Sequence, residues 1–501
     1  MRILLLTITG LLLLGNQLFG QDKIDSKLLQ EELEILGDIV IGISPKLSKE
    51  ERNQISKLIE EKKNTIEGKA MTSLEYFNFL AELDLPTQFD EHASIQIDED
   101  VLTPLLKRAK LFPMPIKILK DRVVVNGKSG MLPYASIIHS INGQAIDSVL
   151  RMISSDSDNL SKRNMENQFS FDYCIKKPFT QSYSVAYSEP SAPEINLKKK
   201  IDGLDLSECV KELNEVRVYP LNRDSLKNFI NTKYYPKHKV YYFQLNSFSW
   251  DENSNLGRFE RFSNKKAKFD KCFKKIFKEV GKLGAENLII DLRHNGGGEI
   301  HNPGLLYSYI AKNKFVQHAQ LEIPDFLLPQ EKYIIKLDDK ECKGEEDIAD
   351  FMNAYRSNFE KGESSYISEA IKEQEMFPNR HAFRGNVYLL VGGYTCSASS
   401  YFTAMFKGEK RGVIIGEQIG GSHHSITAGT DITYQMPHTG FKVKVPLMVV
   451  NFSDELYEKV PELKVNPDIE LGGEKYYQYF LNKQDPELET VFQLITEGDI
   501  N

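Results

Sequence analysis

The chain has 501 residues, of which 41% are hydrophobic and 27% are charged, a balance typical of a folded protein. Its formal net charge of −8 argues against nucleic acid as a partner, because a nucleic-acid-binding face is basic. A chain of this length is too long for one compact core, so we expect several domains.

The first 21 residues have the layout of a secretory signal peptide. One Arg follows the initiator Met, a Leu-rich apolar run comes next, and small or polar residues precede the charged "DKIDSK". The apolar run is shorter than the roughly 20 residues that a membrane helix needs. We therefore expect cleavage near Gly20 or Gln21, export to the periplasm or the exterior, and no later membrane span. A retained membrane anchor is the alternative.

A helical segment is expected from residue 22 to about residue 110. The runs "EELEILGDIV" and "SKEERNQISKLIEEKK" have helical periodicity, and Ser48 with Glu51 gives a capping-box signature. Pro86 breaks this pattern, and "HASIQI" then alternates as a strand does, with His92 at the junction.

Short strand-like runs with Asn-Gly turns predict a small β-rich module at about residues 111–200. They include "IKILKDRVVVNGKSG" and "ASIIHSINGQAIDSVLRMI". The stretch "SEPSAPEINLKKKIDG", at residues 188–203, is rich in Pro, Ser and Lys. It therefore predicts a linker or an exposed loop.

An α/β core is expected at residues 201–475. The apolar runs "NLIIDL", "NVYLLVGG" and "GVIIGEQ" alternate with helix-like runs such as "KKAKFDKCFKKIFKEVGKLGA". This alternation predicts a parallel sheet covered by helices. A charged, helix-prone surface segment at 321–380 is expected to be an insertion in this core. Residues 476–501 are expected to form a C-terminal tail.

Two loops that follow predicted strands carry the candidate chemistry, since active groups of an open α/β sheet gather at the carboxyl ends of its strands. In "NLIIDLRHNGGGEI", Gly296, Gly297 and Gly298 let the backbone approach a substrate and present N–H groups to it. In "VGGYTCSASSYF", Ser397 stands where a strand turns into a helix, whose N-terminus favours developing negative charge.

The phrases "LIIDLRHNGGG", "VYLLVGGYTCSASSYFTAMF", "RGVIIGEQIGG" and "VNPDIE" resemble those of the C-terminal processing (tail-specific) proteases and their tricorn-core relatives. The resemblance covers most of residues 239–470 and implies a crotonase/ClpP-like serine peptidase core. It implies that Ser397 is the nucleophile, with the Ala398 N–H and a glycine of the 296–298 loop, Gly297 or Gly298, in the oxyanion hole. By position, the module at 111–200 corresponds to the PDZ-like domain of this family.

The general base departs from the commoner pattern of the family. Its Ser-Lys members place a Lys 25 residues after the nucleophile, where this chain has Ser422. Lys407 and Lys410 fall on the following helix or at its end. The tricorn-like branch uses a His from a phrase that "FDEHASI" resembles, with Glu91 in place of Gly, so His92 is the expected base.

Three other histidines remain open as the base. His423 and His424 directly follow the position of the missing Lys, and His294 lies in the glycine loop. On adjacent strand positions, His423 and His424 would point to opposite faces. His438 and His301 have no support from a motif.

An assisting carboxylate is implied in "NFSDELYEKVPELKVNPDIE". Glu455, Glu458 and Glu462 are the candidates, of which Glu458 is favoured by its distance from the Pro-Asp phrase. Cys396 would be the better intrinsic nucleophile, but a Cys beside a strand end is usually a buried apolar residue. Ser399 is expected to be a first-turn or capping residue, and Ser400 replaces the usual Glu of the family.

The leading hypothesis is an exported serine peptidase that acts on peptides or proteins, with no cofactor and no metal. The alternative is a catalytically inactive homologue that binds peptides or other ligands, suggested by the changes at Ser422, Ser400 and Glu91. A weaker third hypothesis is acyl-thioester chemistry, against which the signal peptide argues. The five widely spaced cysteines give no disulfide framework.

Overall fold

The computed structural model describes residues 23–43, 47–83, 93–97, 99–128, 130–153, 159–178, 180–218, 228–249, 265–325, 328–362 and 365–498. The predicted signal peptide and His92 lie outside these residues.

The helices of the described residues begin with two that have the capping boxes Ser48/Glu51 and Thr72/Glu75 at their N-termini, the first of which confirms the sequence signature. In chain order the helices are α1 (Ser26–Ile43), α2 (Lys49–Ile66), α3 (Ser73–Ala81), α4 (Glu99–Arg108), α5 (Ile146–Ile153), α6 (Asn159–Lys176), α7 (Leu206–Val216), α8 (Lys265–Lys282), α9 (Asn302–Ser308), α10 (Glu345–Arg356), α11 (Ala398–Gly408), α12 (Asp454–Lys459), α13 (Gly473–Leu481) and α14 (Pro486–Glu497).

The strands of the described residues are β1 (Ser94–Gln96), β2 (Ile116–Ile118), β3 (Val123–Val125), β4 (Ile137–Ile141), β5 (Gln144–Ala145), β6 (Ser182–Glu189), β7 (Ala192–Asp202), β8 (Ile230–Tyr235), β9 (Val240–Leu245), β10 (Asn287–Asp291), β11 (Phe315–Pro324), β12 (Ile334–Leu337), β13 (Lys340–Glu341), β14 (Glu360–Lys361), β15 (Ser365–Met376), β16 (Asn386–Val391), β17 (Val413–Gly416), β18 (Ser425–Gln435) and β19 (Lys442–Phe452).

The chain divides into two compact units, and the first contains the described parts of residues 1–101, 326–349 and 431–446. Within it, β12 pairs antiparallel with β13 and with β18, and β1 pairs antiparallel with β19. Helix α1 is tied to the turn after β18, because the buried Glu32 carboxylate accepts hydrogen bonds from the N–H groups of His438 and Thr439.

The second unit contains the remaining described residues and is built around a five-stranded sheet in the order β17-β16-β10-β9-β8. Strands β9, β10, β16 and β17 are parallel, and β8 runs antiparallel at the edge. Alternate residues of β10 serve opposite faces: Leu288 and Ile290 pack with α8 and α11, and Ile289 packs with α13 and α14. This arrangement confirms the predicted α/β class.

A second, antiparallel sheet in the same unit has the order β2-β3-β4-β6-β7, with β5 beside β4. Helices α5 and α6 share its apolar core, to which Val149, Phe169 and Tyr183 contribute. These elements form the small β-rich module that the sequence indicated. Its correspondence to a PDZ-like domain remains an interpretation.

The expected linker at 188–203 is wrong. Residues Ala192–Asp202 form β7, which pairs with β6 over nearly its full length. The strand lies at the sheet edge, where Pro193 sits near its start and the Lys residues of "LKKK" are mostly exposed. Pro and Lys are common on edge strands because they discourage pairing with other chains, so the composition of an edge strand resembled that of a loop.

The expected helix-prone character of residues 321–380 is largely wrong as well. The segment has one helix, α10, whereas β15 pairs antiparallel with β11 from Phe315↔Met376 to Pro324↔Ser365. Pairing between segments so far apart in sequence overrides local propensity, which is weak for strands.

A buried ion cluster holds the carboxyl end of β10. The Arg293 guanidinium donates to Asp291 (2.7 Å), to Asp485 (2.8 Å) and to Glu487 (2.7 Å). Burial opposes ionisation of Asp291, but the Arg293 charge holds the pKa of that carboxyl below its usual value. The cluster thus joins the strand before the glycine loop to the N-terminus of α14.

No helix among the described residues is both long and apolar enough to cross a membrane. The same residues hold no group of three or more His, Cys, Asp or Glu side chains that would suit a metal ion. All five cysteines are free thiols.

Candidate functional site

Ser397 lies at a strained turn between β16 and α11. It is the N-cap residue of α11, with φ 53° and ψ −125°, a backbone conformation that residues with a side chain rarely adopt. Such strain persists only where the surroundings over-determine it, and it is concentrated at functional sites. The turn exposes the half-buried Ser397 at the amino end of a buried helix.

The glycine loop lies directly against this turn. A Cβ on Gly297 would stand 2.6 Å from the Ser397 Cβ, 2.9 Å from the Cys396 oxygen and 3.0 Å from the Ala398 nitrogen. Gly297 also has a φ of 104°, which favours glycine. The structure therefore brings the two loops predicted from the sequence into contact.

The backbone N–H groups of the two loops differ in whether they already have a hydrogen-bond acceptor. The Gly297 N–H donates to the Asn295 Oδ1 at 2.9 Å, so in this structure it is already engaged. Neither the Gly298 N–H nor the Ala398 N–H has a hydrogen-bond partner in the described part of the chain. Two of the three predicted oxyanion donors are thus free.

Two further residues that sequence reasoning did not single out tie the loops together. The Thr395 hydroxyl donates to the Leu292 carbonyl oxygen (2.9 Å) and accepts from the Gly392 N–H (3.1 Å). The Asn295 carbonyl oxygen accepts from the Cys396 N–H (3.3 Å). The available sequence signal was a polar residue directly beside each loop, too common in turns to be distinctive.

A third segment, "QIGGSHH", closes the other side of the turn. A Cβ on Gly421 would lie 2.9 Å from the Ser397 nitrogen and 2.7 Å from the Ser400 Oγ. Ser400 is fully buried and donates to the Thr395 oxygen (3.2 Å). Ser422, at the position of the family's Lys, is nearly buried and accepts from the His424 N–H (3.3 Å).

His423 and His424 do not lie on a strand, so the expectation that they face opposite sides does not apply. They belong to the turn before β18, and both Nε2–H groups donate to the Val460 carbonyl oxygen, at 3.0 Å and 3.3 Å. His423 is 1% exposed, and burial lowers its pKa to about 4. It is therefore neutral at physiological pH.

The Ser397 Oγ makes no hydrogen bond with any described residue, and so none with His294, His423 or His424. Lys407, at the end of α11, donates to the Asn466 oxygen, and Lys410 is exposed beyond the helix. The predicted base, His92, lies outside the described residues.

Glu455, Glu458 and Glu462 are all exposed. Glu455 pairs with Lys459, whereas the carboxylate of Glu458 on α12 makes no hydrogen bond within the described chain. The negative charge of Glu462 acts to raise the pKa of His423 against the larger effect of burial. The assisting role of Glu458 stays a prediction.

The remaining residues of the nucleophile turn have structural partners or positions. The Cys396 thiol faces the Gly393 oxygen at 3.6 Å, and Ser399 is buried in the first turn of α11, as expected. His301 precedes α9, and His438 lies in the first unit, where it contacts Glu31.

Comparisons with known proteins bear on the family and the fold. Residues 239–471 match the sequence profile of peptidase family S41. Mature CPAF complexed with lactacystin has a TM-score of 0.60 at 13% identity, over 95% of this chain and 99% of that one. A CPAF mutant has a TM-score of 0.63 at 13% identity, over 94% and 98%. These similarities concern the fold. No curated protein matches the sequence significantly.

We expect Gly297→Ala to abolish most of the activity, because its Cβ would displace Ser397 and Ala398. The loss should reach at least about 10²-fold in kcat, the scale of removing one oxyanion donor. Gly284→Ala is the matched control, since Gly284 has a φ of 62° but nothing within 4 Å of its Cβ position. It should lower the free energy of unfolding by about 1 kcal/mol and leave kcat unchanged. Wild-type activity in Gly297→Ala would contradict the close contact between Gly297 and Ser397.

His423 should make the fold sensitive to acid. Its pKa of about 4 lies below the ordinary value of 6.5. Between pH 6.5 and about pH 4, this His is therefore protonated in the unfolded chain and neutral in the folded chain. The free energy of unfolding should therefore fall by about 3 kcal/mol as pH drops through this window.

In His423→Gln, whose amide can also donate to the Val460 oxygen, this part of the loss should disappear. Denaturant unfolding at a series of pH values measures it. His424→Gln, on the half-buried neighbour, should retain the wild-type slope. An unchanged slope in His423→Gln would show that other groups cause the acid sensitivity.

Proposed function

The chain belongs to peptidase family S41 through residues 239–471 and is a serine peptidase, and from this premise we propose that Ser397 is its nucleophile and His92 its general base. The observation that supports Ser397 most strongly is its strained turn against Gly297, with the free Ala398 N–H at its side. A serine at such a turn is exposed to substrate and close to donors for developing charge.

In the proposed reaction, the Ser397 Oγ attacks the peptide carbonyl carbon while His92 accepts the hydroxyl proton. The carbonyl oxygen becomes an oxyanion and is held by backbone N–H groups of the glycine loop and of Ala398. Collapse of the intermediate breaks the C–N bond, and the proton on His92 passes to the departing amine. Water then hydrolyses the acyl-enzyme by the same steps.

His92 is proposed as the base on the resemblance of "FDEHASI" to the tricorn-like phrase, and because the Ser397 Oγ makes no hydrogen bond with any described histidine. Ser422 occupies the position of the family's Lys and has no basic group. Both His423 and His424 use Nε2 to bind the Val460 carbonyl oxygen. Glu458 is retained in the proposal as an assisting carboxylate on the resemblance alone.

A fluorophosphonate probe and a fluorogenic peptide test this assignment together. Wild-type protein should be labelled at Ser397 and should cleave the peptide, and Ser397→Ala should lose both by at least about 10³-fold. His92→Ala should lose kcat to a similar extent. Cys396→Ser and His424→Gln are the controls and should remain within a few-fold of wild type.

Full activity in Ser397→Ala would overturn the nucleophile, and full activity in His92→Ala would overturn the base. A folded wild-type protein that neither reacts with the probe nor cleaves peptides would instead support the alternative, a binding protein that has lost catalysis.

We also propose that the protein is exported and that a signal peptide is removed near Gly20 or Gln21. The support is the short apolar run of the first 21 residues, which ends before the charged "DKIDSK". N-terminal sequencing of the protein from expressing cells should give a first residue at or next to position 22. A product that retains Met1 in the cell-associated fraction would contradict this.

A further inference from the structure

Asn295 occupies an unusual position between the two loops of the site. It is completely buried and follows the carboxyl end of β10. Its side-chain Oδ1 accepts from the Gly297 N–H (2.9 Å), and its main-chain oxygen accepts from the Cys396 N–H (3.3 Å). One residue therefore bonds to both the glycine loop and the nucleophile turn.

The orientation of the Asn295 amide is determined by its partner. Because an N–H needs an acceptor, the atom facing Gly297 must be oxygen, and the amide nitrogen must point elsewhere. That nitrogen is buried and has no hydrogen-bond partner among the described residues. An unpaired buried donor costs about 1–3 kcal/mol. The site therefore holds a buried donor that the described chain does not satisfy, a departure from local rules that is typical of functional positions.

The bond to Asn295 and a second bond fix two successive peptide planes of the glycine loop. The Gly297 N–H points to Asn295, and the Gly297 carbonyl oxygen accepts from the Phe248 N–H at 2.7 Å. In a trans peptide the C=O and the following N–H point in opposite directions. The Gly298 N–H therefore points away from Phe248, and it has no partner in the described chain.

We propose that Asn295 is a positioning residue for catalysis, which holds the glycine loop so that the Gly298 N–H acts with the Ala398 N–H as oxyanion donor. Asn295 touches neither substrate nor oxyanion. It fixes the 296–297 peptide plane, which adjoins the plane that carries the Gly298 N–H. This inference rests on the proposed function, since it concerns the intermediate formed on Ser397.

Two variants of nearly equal volume separate positioning from packing. Asn295→Ala removes the acceptor, whereas Asn295→Ser keeps a hydroxyl that can accept from the N–H two residues later, as in an ST-turn. Both leave a similar cavity and both remove the unpaired amide nitrogen. Loss of packing alone would affect them equally, so a difference between them reports on the acceptor.

The full-length wild type and both variants are compared by kcat and KM on a fluorogenic peptide and by the rate of Ser397 labelling with a fluorophosphonate. In Asn295→Ala, kcat and the labelling rate should fall by about 10²-fold, with KM little changed, as expected when transition-state stabilisation is lost. Asn295→Ser should recover at least about tenfold of that loss. Thermal midpoints should show that both variants are folded at the assay temperature, with Asn295→Ser the more stable because it keeps the hydrogen bond.

Amide hydrogen exchange over residues 293–299 supplies a readout that does not depend on activity. Exchange at Gly297 should be slow in the wild type and in Asn295→Ser, and fast in Asn295→Ala. Equal kcat values for the two variants, or a wild-type kcat in Asn295→Ala, would overturn the inference while the proposed function stands. A wild type that neither labels nor cleaves would overturn both.

Discussion

The proposed reaction centre depends on one steric condition, which is that the residue facing Ser397 has no side chain. Gly297 approaches the turn so closely that even a methyl group would overlap the Ser397 Cβ and the adjacent backbone. Gly421 meets the other side of the turn in the same way. Ser397 is thus held between two backbone segments, and its strained φ is imposed by the packing around it.

Close approach requires that the strands ahead of these loops be held firmly in register. Strands β10 and β16 are adjacent and parallel, with Ile290 opposite Leu389, so their carboxyl ends reach the same edge of the sheet. The Arg293 cluster secures the end of β10 to α14 through three buried or partly buried carboxylates. Removing one partner of such a cluster leaves an uncompensated buried charge, which is strongly destabilising. The geometry at Ser397 therefore depends on a buried charge cluster at the end of β10.

The segment that would carry the Lys of the Ser-Lys pattern has different side chains in this protein. At the position expected for the Lys of the Ser-Lys members, this chain has the small Ser422, followed by a buried and neutral His423. The segment from 419 to 424 is tied to the backbone at 460–465, through Ile419 to Val465 and His423 to Leu463. It lies against the nucleophile turn through Gly421, and none of its described side chains hydrogen-bonds to the Ser397 Oγ, so the proposal takes the base from another part of the chain.

The sequence by itself determined the features that depend on neighbouring residues. Continuous apolar runs such as "NLIID" and "NVYLLV" predicted buried parallel strands, and the Ser48 capping box and the turn before α11 followed from local patterns. Family phrases supplied the expectation for Ser397, and the structure places Gly297 against it.

Only the tertiary structure decided which elements pair across long stretches of chain. The edge strand β7 and the β11–β15 pair were misjudged because their stability comes from distant partners. The sequence also did not predict the hydrogen bonds of Asn295 and Thr395 or the close approach of Gly421 to Ser397. A polar or small residue acquires such a role only when a segment remote in sequence is folded against it.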